Sequence, residues 1–229
     1  MISIAMPTYE SFGRGVEFLE FQFQKFLEQI YKDFEIVISD HSKDDNIQRL
    51  CERYSDLLDI SYVRNEENRG NFTDNTNRAM RRCKGEIIKI LFQDDFLWDR
   101  HSLEKINNAF HKDINWLVTS CEHTYDGNNF HKQHDPTYND KIYVGNNTIG
   151  NPSVLSVRNG DNMLFFDERM LWTVDVDYYK RLHDKFGPPG ILNEVTVAIR
   201  LWDKQLTHLI PSRTKQREVN LSISKHEKN

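Results

Sequence analysis

The chain has 229 residues, of which 38% are hydrophobic and 28% charged, enough to bury a sizeable core. Its 30 Lys and Arg against 35 Asp and Glu leave a net charge of −5, which argues against non-specific nucleic-acid binding. No stretch approaches the ~18 apolar residues of a membrane span, and MISIAMPTYE lacks the basic start of a signal peptide. Cys51, Cys83 and Cys121 are widely spaced and form no CxxC pair, so they read as reduced, buried thiols of a soluble cytoplasmic protein.

In chain order, Ile2–Met6 reads as a buried strand stopped by Pro7. Phe18, Leu19, Phe23, Phe26, Leu27 and Ile30 recur at helical spacing over about 16–31. Strands follow at Phe34–Ile38, near Ile60–Arg64 and at Glu86–Phe92, with helices over about 47–54 and 73–83 between them. A helix near 103–110 and a strand at Trp116–Thr119 complete the first half. This alternation predicts a mostly parallel sheet flanked by helices, with ligands beyond the carboxyl ends of the strands. Residues 122–151 read as loops and short hairpins, Val154–Val157 as a strand and Trp172–His183 as a helix. Gly187-Pro-Pro-Gly190 is a break, residues 191–202 fit helix or strand equally, and the polar tail after Pro211 is expected to fray. The whole chain is expected to be one domain, with halves at 1–120 and 121–212 and a tail at 213–229.

Asp94 and Asp95 follow an apolar strand, where adjacent carboxylates repel each other and do no packing work. A hard divalent cation carrying diphosphate would relieve that repulsion, although a solvated turn or helix cap reads the same way. Asp40 ends the second strand and could accept a nucleobase N–H or ribose hydroxyls, or close an Asx-turn. Pro7, Thr8, Tyr9 and Glu10 offer a rigid turn with an aromatic face. Arg69, Asn75 and Asn77 stand near a helix start, suited to an anion or nucleotide and equally to capping. Asp175 and Asp177 lie about 200° apart on a helix, so one can face a cleft near Trp172 while the other pairs with Arg181. His123, His131 and His134 are too irregularly spaced to predict zinc. The dinucleotide fingerprint, P-loop and nucleophile-elbow patterns are absent.

Together these residues resemble the family-2 glycosyltransferases of the GT-A fold, from Ile2 to about Thr207. The resemblance is carried by ISIAMPTYE, EIVISDHSKDD, Asn77-Arg-Ala-Met, Lys84-Gly-Glu-Ile-Ile, Gln93-Asp-Asp, Asn151-Pro-Ser-Val, Phe166-Asp-Glu and Asp175-Val-Asp-Tyr, in that order. It implies a non-processive, inverting enzyme that moves one sugar from a nucleoside-diphosphate sugar, UDP- or dTDP-linked, to a glycan or glycoconjugate hydroxyl. Asp40 would contact the base, uracil first and thymine next. Asp94 would sit at the ribose and metal, Asp95 would ligate Mn²⁺ or Mg²⁺, and Asp175 would be the general base, with Trp172 on the acceptor side. Ser39, His41, Gln93 and Val174 depart from the family pattern. The protein would work in the cytoplasm or peripherally at a membrane. Two rivals are a nucleotidyltransferase on a related sheet and a non-catalytic sugar- or nucleotide-binding module.

Overall fold

The computed structural model describes residues 1–227. Its strands are β1 (Ile2–Thr8), β2 (Phe34–Asp40), β3 (Ile60–Arg64), β4 (Ile87–Ile90), β5 (Phe96–Leu97), β6 (Trp116–Thr124), β7 (Leu155–Arg158) and β8 (Gly190–Arg200). They form one sheet in the order β3-β2-β1-β4-β7-β6-β8-β5. β3, β2, β1 and β4 are mutually parallel, as expected. β7 runs antiparallel to both β4 and β6, and β5 antiparallel to β8, so the complete sheet is mixed. The helices are α1 (Gly15–Glu28), α2 (Asn46–Tyr54), α3 (Phe72–Arg82), α4 (Ser102–Ala109), α5 (Val174–Phe186), α6 (Leu206–Leu209) and α7 (Ser212–His226).

β1 is buried along its whole length because it has a strand on either side and helices over it. Pro7, expected to end the strand, lies inside it. Leu91 N donates to Ala5 O, so strand alternation turns the Pro7 nitrogen to the same side, past the end of β4 at Ile90. No ladder bond is lost there. α1 buries Phe18, Leu19, Gln22, Phe23 and Phe26, the stripe its spacing predicts. In register, Thr8 stands beside Asp40 and Asp40 beside Arg64, so the loops after β1, β2 and β3 leave the sheet at one level. That level is where ligands bind in sheets of this kind.

The second half departs further from expectation. Residues 191–200 resolve as strand within β8, 201–202 lie beyond it, and the two-residue β5 carries too little pattern to be read in advance. Residues 122–151 are irregular, joined to β6 by isolated bridges Cys121–His134 and Thr124–Phe130. The tail expected to fray is the 15-residue helix α7, with Glu218 and Ser222 buried. Its last two positions, 228 and 229, lie outside the described residues.

Candidate active site

A cavity of about 980 Å³ opens at the carboxyl end of the first-half strands and is closed on its other side by residues of the second half. Pro7, Thr8, Tyr9 and Glu10 line it from the end of β1, with Arg69 and Asn75 beside them. Gln93 fixes this edge: its Oε1 accepts from Tyr9 N at 2.9 Å and Ser11 Oγ at 3.2 Å, while Nε2 donates to Gly15 O at 2.8 Å. An acid could accept these bonds but not donate the third, which accounts for the amide. Gly15 is required by close approach, since a Cβ there would stand 2.5 Å from Tyr9 O. Asn75 spans the strand ends, donating to Thr8 O at 3.1 Å and accepting from Ser39 Oγ at 2.7 Å.

Two expected nucleotide contacts lie elsewhere. Asp40 is fully buried and does not line the cavity. Its Oδ1 accepts from Ser42 N, Ser42 Oγ and Thr8 Oγ1 at 3.0, 2.7 and 3.1 Å, and its Oδ2 accepts from Tyr62 Oη at 2.8 Å. With both oxygens engaged, Asp40 braces three strand ends, and only the second lone pair of Oδ2 is left to meet a base. His41 and Lys43, immediately after it, line the cavity instead. His41 Nε2 pairs with Asn65 Nδ2 at 2.8 Å, and burial holds the imidazole below its usual pKa. Asn77 is the second correction. It is fully buried and staples α3 to the second half, exchanging hydrogen bonds of 2.9 Å with both the N–H and the carbonyl of Phe166.

Asp94 and Asp95 part company at the end of β4. Asp94 is half-buried, lines the cavity, and accepts from Trp202 Nε1 at 2.8 Å. Asp95 is buried behind it, with Oδ2 accepting from Asn151 Nδ2 at 2.8 Å and Oδ1 from Arg200 N at 3.1 Å. Burial raises both carboxyls, Asp95 to about 7 with the Asp94 charge adding to it. Lys89 lies below, fully buried, donating to the Ser153 carbonyl, and burial pulls its ammonium down to about 7. Crowded hard oxygens of this kind suit Mg²⁺ or Mn²⁺. Of the two acids expected at the metal, Asp94 is presented to the cavity and Asp95 is not. Among the described residues no grouping of three or more His, Cys, Asp or Glu could hold a metal unaided. The remaining ligands would come from substrate phosphates and water, as is usual for Mg²⁺.

The second half supplies Asp175 in the first turn of α5, with Trp172 just before it, and both line the same cavity. Asp175 Oδ2 accepts from Asn147 Nδ2 at 2.6 Å and Oδ1 from Val176 N at 2.8 Å. Burial raises this carboxyl to about 6, a value suited to taking a proton near neutral pH. Asp177 turns away, as its spacing predicts. It is fully buried against Arg181 Nε at 2.8 Å, Lys225 Nζ at 2.7 Å and His226 Nε2 at 2.9 Å. The His226 hydrogen bond and the Arg181 and Lys225 charges hold its carboxyl below the usual range despite its burial.

His41, Asn147, Asn151 and Trp202 also build the site and were not singled out from sequence. Asn151 opens the Asn-Pro-Ser stretch that carried the resemblance, so a signal existed for it. Asn147 lies in irregular sequence where nothing marks it. His123, Lys132 and His134 line the second-half wall, and His131 stacks on Tyr125 outside it.

Comparison with known proteins agrees with the fold. A stretch of 97 residues, 42% of this chain, is 29% identical to the glycosyltransferase GlyG of Streptococcus pneumoniae and spans 31% of that protein. TarS 1–349 of S. aureus, solved in complex with UDP-GlcNAc, superposes with a TM-score of 0.71 at 16% identity, over 97% of this chain and 66% of that one. The mannosyltransferase PcManGT of Pyrobaculum calidifontis, solved with GDP-Man and Mn²⁺, gives 0.70 at 15% identity, over 100% and 64%. The chain thus spans less than two thirds of the length of these relatives, and its architecture is that of the GT-A glycosyltransferases. Residues 3–169 match the model of Glycosyl transferase family 2, and the chain belongs to that family.

Proposed function

We propose that this chain transfers one sugar from a nucleoside-diphosphate sugar to a hydroxyl of a glycan or glycoconjugate, with inversion. The observation that carries the reading is that Asp94 and Asp175, from opposite halves, line one cavity. An inverting displacement needs its base on the acceptor side and its leaving group stabilised on the other. Asp175, tuned to about 6 and held by Asn147, suits the base. Asp94, with the Asp95 charge behind it, would hold Mg²⁺ or Mn²⁺. That ion would offset charge on the departing diphosphate, an effect worth several kcal/mol. His41, Lys43 and Arg69 form the wall nearest β2 and β3, where the nucleoside belongs in this reading. The two halves act as one transferase unit.

UDP and dTDP sugars are the first donors to test, because TarS is solved with UDP and with UDP-GlcNAc, and GDP-mannose follows from PcManGT. A cytoplasmic setting agrees with three buried, unpaired cysteines and with no described helix long and apolar enough to cross a membrane. A thermal-shift screen of UDP, GDP and dTDP sugars, with Mn²⁺ and with EDTA, tests the binding half of the proposal, since bound ligand raises stability. Product analysis tests the rest. Nucleoside diphosphate released with a β-configured product from an α-linked donor is expected. Pyrophosphate release would make the chain a nucleotidyltransferase, and stabilisation without turnover across glycan acceptors would make it a binding module.

A further inference from the structure

Helix α7 holds the acceptor wall of the cavity through one buried carboxylate. Glu218 is 1% exposed, and its Oε2 accepts from three consecutive backbone N–H groups, Leu171 at 2.9 Å, Trp172 at 2.7 Å and Thr173 at 3.2 Å. These groups immediately precede α5, whose N-cap Thr173 makes no side-chain capping bond of its own. Glu218 therefore supplies from 45 residues away the negative charge that a helix start favours. Neighbouring contacts act on the same wall. Lys215 Nζ lies 5.4 Å from the Trp172 ring, and Val219 packs so closely on Gly145 that a Cβ there would meet it at 3.2 Å. One turn further along α5, Lys225 and His226 grip Asp177. Asp175 thus lies between two attachment points of α7.

We propose that Glu218 is a positioning residue: by fixing the backbone of residues 171–173 it sets where Trp172 and Asp175 stand in the cavity. The inference rests on the reading of Asp175 given above. Among the described residues Glu218 makes no ion pair, so its burial rests on these hydrogen bonds, and its removal leaves three N–H groups without their acceptor. The first-half wall, from Pro7 to Asp94, makes no hydrogen bond to α7 among the described residues. Loss of Glu218 is expected to misplace the base while leaving nucleotide binding intact.

The test uses Glu218→Ala and Glu218→Gln in the full chain, the latter keeping an oxygen acceptor without charge. Three readouts are compared: amide exchange of residues 171–176, affinity for UDP with Mn²⁺ by calorimetry, and transfer kinetics with the donor found by the screen. Glu218→Ala should accelerate exchange at 171–176 and lower kcat by ~10²-fold, the scale of a misplaced reacting group, with UDP affinity unchanged. Glu218→Gln should recover most of both losses. Unchanged exchange at 171–176, or parallel loss of UDP affinity and protection across both halves, would overturn the proposal and leave Glu218 as general packing. If Glu218→Ala does not fold, Glu218→Asp replaces it, keeping the charge but drawing the acceptor back by one methylene: faster exchange at 171–176 and lower kcat with unchanged UDP affinity are expected, and unchanged exchange would overturn the proposal. If Asp175→Asn retains turnover while Glu218→Ala loses it, the wall is held as proposed and only the identity of the base is wrong.

Discussion

Replacing Asp175 by Asn removes basicity at nearly constant shape, and the structure sets what should follow. Asp175 accepts one hydrogen bond on each oxygen, from Asn147 and from Val176. The amide keeps one acceptor and turns the other into a donor, so one of the two bonds is lost, costing ~1 kcal/mol. Against that, the variant no longer buries a charge that the site raises to about 6. Stability should therefore change little. At pH 7.5 a group with this pKa is roughly 97% ionised, and below pH 6 the ionised fraction falls about tenfold per unit. Wild-type kcat should follow that acid limb, and Asp175→Asn should lose ~10²–10⁴-fold in kcat and the limb with it. UDP affinity with Mn²⁺ should stay the same, because Asp175 lies on the other wall from Asp94. Nucleoside-diphosphate release between pH 5 and 9, beside calorimetry with UDP, measures both. Near-normal turnover with the limb intact, or UDP affinity lost as completely as turnover, would refute the assignment.

Asp94→Asn should abolish the Mn²⁺-dependent part of UDP affinity, and Asp95→Asn should weaken it less; equal affinity in EDTA and Mn²⁺ for the wild type would dismiss the metal. Because Asp95 is raised above its unfolded value, the stability it contributes is present at low pH and lost as pH rises through about 7. Without metal, the Tm of Asp95→Asn relative to wild type should accordingly be higher at pH 8 than at pH 5, and the opposite order would contradict the burial argument. His41→Ala should weaken UDP roughly fivefold, one hydrogen bond's worth, and lower the Tm as well, because it takes a partner from the buried Asn65 amide. Asp40→Ala should instead destabilise by ~3 kcal/mol by stranding the Thr8, Ser42 and Tyr62 donors, as read in urea; a stable variant that fails to bind UDP would restore the direct base contact.

The elements legible in sequence are those whose stability comes from apolar burial. β1, β2 and β4 lie within the parallel part of the sheet, and such strands read as continuous apolar runs. α7 fails the same test because Glu218, Ser222 and His226 are its buried residues, so a polar helix anchored by hydrogen bonds shows no apolar stripe. β8 was ambiguous because its first residues are mostly exposed, Ile191 at 45%, and only the stretch from Thr196 to Arg200 is buried throughout. Site residues divide similarly. Asp94 and Asp175 stand out in sequence because nothing nearby could neutralise them, and both line the cavity. Asp40 looked the same, and the donors that consume it come from β1, the β2 turn and β3. Whether an acid is presented or absorbed is decided by such distant partners, and a lone motif cannot report them.

The segment from Asn147 to Asn151 joins the two halves of the site more directly than either motif suggests. Asn147 Nδ2 donates to Asp175 at 2.6 Å and to Gly150 O at 2.8 Å, while its Oδ1 accepts from Ile149 N and Gly150 N at 3.0 Å each. Asn151 Nδ2 reaches Asp95 at 2.8 Å. One short turn therefore holds both Asp175 and Asp95, the carboxylate behind Asp94. Gly150 is its pivot, with φ of +119°, a conformation that disfavours any Cβ although space remains, the nearest atom being Val154 at 3.5 Å. Gly150→Ala should therefore act through the backbone rather than through a clash, at a cost of ~1–2 kcal/mol. If the turn coordinates the two acids, this variant should lower kcat and the Mn²⁺-dependent part of UDP affinity together. Asp175→Asn should change only the first and Asp95→Asn mainly the second, so a joint loss would be diagnostic. Loss of one property alone would mean that the asparagines serve their acids independently.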